Sequence, residues 1–94
     1  MIGAHDLIAD ELFNYHSLGA LDYLIAHGRE LEFYYKSEPF FISIHGSTKY
    51  VGLSHGEIQK DFESMDDLFE KATLLDKPFL EVWKECQLIN LFWG

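Results

Sequence analysis

Residues Glu30 to Gly46 read ELEFYYKSEPFFISIHG. Apolar and polar residues alternate up to Lys36 and again from Phe40, the period of two that sends successive side chains to opposite faces of a strand. A two-residue turn at Ser37-Glu38 predicts a hairpin in which Tyr35 faces Phe40, Phe33 faces Ile42 and Leu31 faces Ile44, all on one face. The other face then pairs Tyr34 with Phe41, Glu32 with Ser43 and Glu30 with His45. A slip by one residue would mix the two sets, so the pattern itself argues for this pairing. Pro39 starts the second strand, where its missing N–H is tolerated. Ser-Glu is not the Asn-Gly type of sequence that tight hairpins favour, so a four-residue loop is the alternative.

Downstream, Gly46-Ser47 offers a second turn into KYVGLS. Val51 then faces Ile42 and Leu53 faces Phe40, while Tyr50 lands beside Ser43 on the outer face. Gly52 would face Phe41 and leave room for its ring over the backbone. His55-Gly56 breaks the pattern, and IQKDF is either a short strand or an irregular edge. Ser64 caps a helix MDDLFEKA, with Asp67 three residues on. Pro78 opens a closing helix PFLEVWKECQLINLF, which places Phe79, Val82, Trp83, Cys86, Ile89 and Asn90 on one stripe.

Upstream, AHDLIADELFNYHS carries Leu7, Ile8, Leu12 and Tyr15 at helical spacing. Ser17 can cap a second helix, LGALDYLIAHG, with Leu18, Leu21, Leu24 and Ile25 on one stripe and Gly28 as its stop. The sequence leaves open whether the two helices merge through Tyr15 to Ser17. The expected class is α+β in one domain over residues 1–94, with 1–16 readable as an N-terminal helical extension. Its elements are two N-terminal helical segments, a three-stranded antiparallel meander and two C-terminal helices.

A hydrophobic content of 48% is that of a globular chain and argues against wholesale disorder. The absence of a charged-then-apolar leader and of a bilayer-length apolar run predicts a soluble intracellular protein. Cys86 is the only cysteine, which excludes an internal disulfide and a cysteine-based zinc site. Sixteen acids against 7 bases give a net charge of −9, which repels nucleic-acid phosphates and anionic membranes. Six of the acids (Glu57, Asp61, Glu63, Asp66, Asp67 and Glu70) fall between residues 57 and 70, against the single base Lys60.

From Gly28-Arg29-Glu30 onward, Phe33, Tyr35, Phe40 and Ile42 follow in a hairpin pattern. Phe62, Ser64, Asp66, Asp67 and Leu68 come next, and then Asp76, Lys77, Leu80, Glu81, Val82 and Trp83. In these residues the chain resembles a set of small uncharacterised acidic proteins of Gram-positive bacteria and their phages. That set shows a Gly-Arg-Glu helix end, an F-x-Y hairpin and a closing L-x-E-[IV]-W segment. Two departures stand out: Ser37-Glu38 replaces Gly-Lys at the hairpin turn, and the Gly between Asp and Lys is missing at Asp76-Lys77. The resemblance covers about two-thirds of the chain and rests on structural signals. It implies a small, cytoplasmic, non-enzymatic protein of the kind carried on mobile DNA, and it transfers no catalytic residue.

No arrangement of nucleophile and base is visible, no phosphate-binding glycine loop occurs, and no cofactor is expected. His5, His16 and His27 recur every eleven residues, which on one helix spaces neighbours about 16 Å apart, too far for one metal. His45 and His55, joined by Glu30 or Glu57, give a minor alternative of a small metal-dependent enzyme. The leading expectation is a non-catalytic protein-binding module, and its sharper form is an inhibitor from a phage or mobile element, of the anti-defence or toxin-immunity type. Tyr34, Phe41 and Tyr50 would supply an aromatic surface, and the acids Glu57, Asp61, Glu63, Asp66, Asp67 and Glu70 would meet a basic, nucleic-acid-binding partner. The contrasting expectation is a homodimer that buries the Tyr34, Phe41 and Tyr50 face. The plainest alternative is a helix of the same chain covering those rings.

Overall fold

The computed structural model describes residues 3–45 and 50–93. Helices α1 (Ala4–Tyr15) and α2 (Leu18–Ala26) are separate. His16 between them is left-handed (φ 54°), and Ser17 Oγ accepts the Ala20 N–H at 3.1 Å. That bond satisfies one of the donors a helix's first turn leaves unpaired, so α2 restarts here rather than continuing α1. Gly28, at φ 88°, then turns the chain into the sheet.

Strands β1 (Arg29–Tyr35), β2 (Glu38–Ile44), β3 (Val51–His55) and β4 (Ile58–Phe62) follow as a meander. Helix α3 (Met65–Lys71) is next, with Ser64 Oγ accepting the Asp67 N–H at 3.0 Å as the sequence predicts. A two-stranded hairpin, β5 (Thr73–Leu74) and β6 (Lys77–Pro78), leads into a single helical turn, α4 (Phe79–Val82). A 3-10 turn (Trp83–Glu85) and strand β7 (Gln87–Trp93) close the fold. The main sheet has five antiparallel strands in the order β4-β3-β2-β1-β7.

The expected architecture of a three-stranded meander with two C-terminal helices is therefore incorrect. IQKDF is a full strand, and the closing helix stops after one turn. Its first four stripe residues (Phe79, Val82, Trp83 and Cys86) are buried as a helix would bury them, but Cys86 is extended (φ −71°, ψ 138°) and the chain leaves as β7. The cause is non-local. Without β7, β1 would present a row of unpaired N–H and C=O groups, and pairing from Arg29↔Trp93 to Tyr34↔Gln87 satisfies them.

The hairpin register is also corrected. The β1–β2 turn is Lys36-Ser37, both at positive φ (49° and 67°), so Phe33 faces Phe40, Leu31 faces Ile42 and Tyr34 faces Pro39. In β3, Val51 faces Ile44 and Leu53 faces Ile42, again two residues from expectation. A two-residue shift changes partners without changing faces, which is why both predicted faces survive. The predicted Gly46-Ser47 turn lies outside the described residues.

One face of the sheet, the inner face, carries the core. Leu31, Phe33, Tyr35, Phe40, Ile42, Val51 and Leu53 are buried there, in one cluster with Leu12, Leu21, Leu24 and Ile25 of α1 and α2 and with Met65, Leu68, Phe79 and Trp83. Phe33 meets Trp83 edge-on at 5.6 Å, and Phe79 stacks on Trp83 at 5.0 Å. Burying each such ring stabilises the fold by about 1.5–3 kcal/mol. Trp83 Nε1 donates to the His16 carbonyl at 2.9 Å, and His16 Nε2 bonds the Cys86 carbonyl at 2.7 Å. These two bonds tie the α1–α2 junction to the start of β7.

Candidate functional site

The opposite, outer face of the sheet carries Glu30, Glu32 and Tyr34 from β1, and Pro39, Phe41 and Ser43 from β2. Gly52 and Ser54 of β3, Gln59 and Asp61 of β4, and Gln87, Asn90 and Phe92 of β7 complete it. The core residues of all four helices pack on the inner face, and none of the described helices covers this one. Cover by a helix of the same chain is thus set aside for the described residues.

Two parts can be distinguished. Toward β7, Phe41 and Phe92 lie 6.1 Å apart between ring centroids, leaning toward each other across β1. Between them β1 presents Glu30, opposite Phe92, and Glu32, opposite Phe41. Asn90 Nδ2 donates to Glu32 Oε1 at 3.1 Å, leaving the second carboxylate oxygen available. Phe92 is 43% exposed, while Phe41, Tyr34 and both glutamates are half-buried. Toward β4, Gln59 Nε2 donates to His45 Nε2 at 2.6 Å and to Asp61 Oδ1 at 2.9 Å, and His45 Nε2 is 3.3 Å from Asp61 Oδ1. These side chains bury Gly52, where an added Cβ would come within 2.7 Å of His45 Nε2. Gly52 faces Ser43 rather than Phe41, so the ring it accommodates is that of His45. Tyr50, 44% exposed, stands beside this group, its carbonyl accepting the His45 N–H at 2.8 Å.

The predicted site residues are divided by the fold. Tyr34, Phe41, Tyr50 and Asp61 share the outer side, although Tyr34 and Phe41 do not face each other. Glu57 sits in the β3–β4 turn and Glu63 in the bend before α3. Asp66, Asp67 and Glu70 belong to α3, on the helical side of the sheet. Asp67 serves the fold itself, since it accepts the Glu63 N–H at 3.4 Å and pairs with Lys71 at 2.9 Å. The Lys71 hydrogen bond holds its carboxyl below the usual range, and the same bond raises the lysine. Sequence reasoning missed Phe92, because a helical reading of residues 87–93 hides the alternation that sends it outward. Alternation places Glu30 and Glu32 on the correct face but does not single them out as site residues.

His45 and His55 do not meet. His45 lies on the outer face, whereas His55 stacks on Phe40 at 4.4 Å and approaches Glu38 at 3.8 Å on the inner one. Among the described residues no group of three or more His, Cys, Asp or Glu is placed to hold a metal. The eleven-residue histidines are also separate: His5 stacks on Trp93, His16 bonds Cys86 and His27 stacks on Tyr23. The Cys86 thiol is pushed up to about 12 by burial, with the Glu85 carboxylate adding to it, so it is not a thiolate at neutral pH. On the inner side, Phe40, Leu53, His55, Ile58, Lys60 and Leu75 line a groove of about 310 Å³, at the small end for ligand sites. Among the described residues no helix is long and apolar enough to cross a membrane.

Comparison with protein families, curated proteins and solved structures finds no match.

Proposed function

We propose that the protein is a non-enzymatic binding module that engages a protein partner through the outer face of its sheet. The observation that carries this is the outer-face ring set (Tyr34, Phe41 and Phe92, with Tyr50 beside them) on a five-stranded sheet whose described helices all pack on the inner face. Rings of this kind bring large contact area at small entropic cost, which is why they anchor interfaces. Acidity, small size and the resemblance to proteins of bacteria and their phages support the narrower reading of an inhibitor, anti-defence or toxin-immunity in type. On the resemblance alone we place it in the cytoplasm. Burial of this face against a second copy is the weaker reading, since it would bring two sets of Glu30, Glu32 and Asp61 together.

Affinity capture from a host-cell lysate tests the proposal. A partner held by the wild type should be lost with Phe41→Ser plus Phe92→Ser and kept with Leu80→Ser, which changes an exposed residue of α4. Retention by the outer-face variant, with its fold verified by circular dichroism, would sink the idea.

A further inference from the structure

The outer face is sorted by charge as well as by hydropathy. Its described strand positions include three carboxylates (Glu30, Glu32 and Asp61) and no Lys or Arg. Among the described residues, the two cations on the strands of the main sheet both stand on the inner face. Arg29 lies over the Trp93 ring at 4.2 Å and donates to the Leu91 and Phe92 carbonyls, and Lys60 lines the inner groove. Lys36, in the β1–β2 turn, reaches over the inner Tyr35 ring at 5.6 Å. Rings and carboxylates with no Lys or Arg among the described strand positions are the wrong chemistry for a nucleic acid, whose bases would stack but whose phosphates would be repelled. They are the right chemistry for a guanidinium, which takes ring faces and carboxylates together.

Resting on the open-face reading, we infer that the Phe41–Phe92 ring pair with Glu30 and Glu32 is a subsite for arginine side chains of an extended basic protein segment. The two carboxylates are two residues apart on β1, about 7 Å by strand rise. An extended segment repeats its side chains on one face at the same spacing, so successive arginines can each find one carboxylate. A guanidinium over the rings forms charge-assisted bonds with the free oxygen of Glu32, whose other oxygen Asn90 already orients. The ring pair lowers the local dielectric and strengthens the attraction.

The test uses a capped nine-residue peptide alternating Thr and Arg, with a matched citrulline peptide, titrated by calorimetry and amide chemical shifts. The Arg peptide should bind saturably, shift β1, β2 and β7 amides, and exceed the citrulline peptide by at least about tenfold. Glu30→Gln with Glu32→Gln should weaken it at least about tenfold. Asp66→Asn with Glu70→Gln removes the same charge from α3 and should cost less than about threefold at 0.15 M salt. Equal losses in the two double variants, equal binding of citrulline, or no saturable binding each overturn the inference. So does a dimer that Phe41→Ser with Phe92→Ser abolishes, because the face then belongs to a second copy. If a captured partner survives Glu30→Gln with Glu32→Gln but not Phe41→Ser with Phe92→Ser, the arginine subsite fails and the open-face reading stands. If it survives both pairs, both fail.

Discussion

Leu75 and Asp76 join β5 to β6 with φ of 49° and 68°, and Lys36 and Ser37 join β1 to β2 in the same way. Two left-handed residues in a two-residue turn are the pattern that favours Asn-Gly, because other side chains crowd the backbone there. A glycine in the second position is the residue such a turn asks for. Leu75→Asn with Asp76→Gly should therefore stabilise the fold by about 0.5–1 kcal/mol, read from the urea midpoint. Cys86 provides a second check at this scale. Its folded thiol keeps a proton to about pH 12, whereas an ordinary thiol loses it near 9.0. The folded state thus binds more protons above pH 9, and the stability from this group, full below that pH, falls as pH rises toward 12. The advantage of the wild type over Cys86→Ala should shrink by about 1 kcal/mol between pH 8 and pH 10 in urea unfolding. At this scale the sequence is informative about faces, since every inner residue from Leu31 to Ile44 follows from alternation. It says little about partners, since a two-residue shift leaves alternation unchanged.

Among the elements, α2, α3 and the β1–β2 hairpin are legible because their signals are local: Ser17 and Ser64 caps and a strict period of two. Strand β7 is not. Gln87-Leu88-Ile89-Asn90-Leu91-Phe92-Trp93 contains no charge, so an apolar helical stripe fits it as well as strand alternation does. A bulge between Glu32 and Phe33 in the β1–β7 pairing also shifts the register by a residue, which obscures the alternation further. The decisive fact is the vacant edge of β1, which is 52 residues upstream at its nearest (Tyr35 to Gln87). Because β1 is paired on both sides, its amides should exchange with deuterium at the slowest, near-global rate. Those of β4, an exposed edge, should exchange faster. Exchange of β1 as fast as β4 in mass spectrometry would contradict the five-strand order.

For the whole molecule, the sheet separates two surfaces. The inner layers hold the apolar mass together with Arg29 and Lys60, and the outer face holds rings and carboxylates. With a net charge of −9, like copies repel at long range, and salt screens that repulsion. Light scattering should give a monomer at low salt, with any self-association rising rather than falling as salt is added. The same change should weaken capture of a basic partner, so the two processes respond to salt with opposite sign. This division of surfaces is only half legible in the sequence. The acids are countable and alternation already sets Glu30 and Glu32 beside Tyr34 and Phe41, but the acids of residues 57–70 are divided among a turn, β4, a bend and α3, and only topology brings Phe92 next to the two glutamates.

The pairing of β7 with β1 also sets a clock for synthesis. At ordinary translation rates the 52 residues from Tyr35 to Gln87 take about 3–10 s to add. Over that interval β1 to β4 can form a meander whose β1 edge is unoccupied and able to recruit a strand from a neighbouring nascent chain. A chaperone that holds this edge, or a slower stretch of codons before β7, would change the yield of folded protein without altering a single native contact.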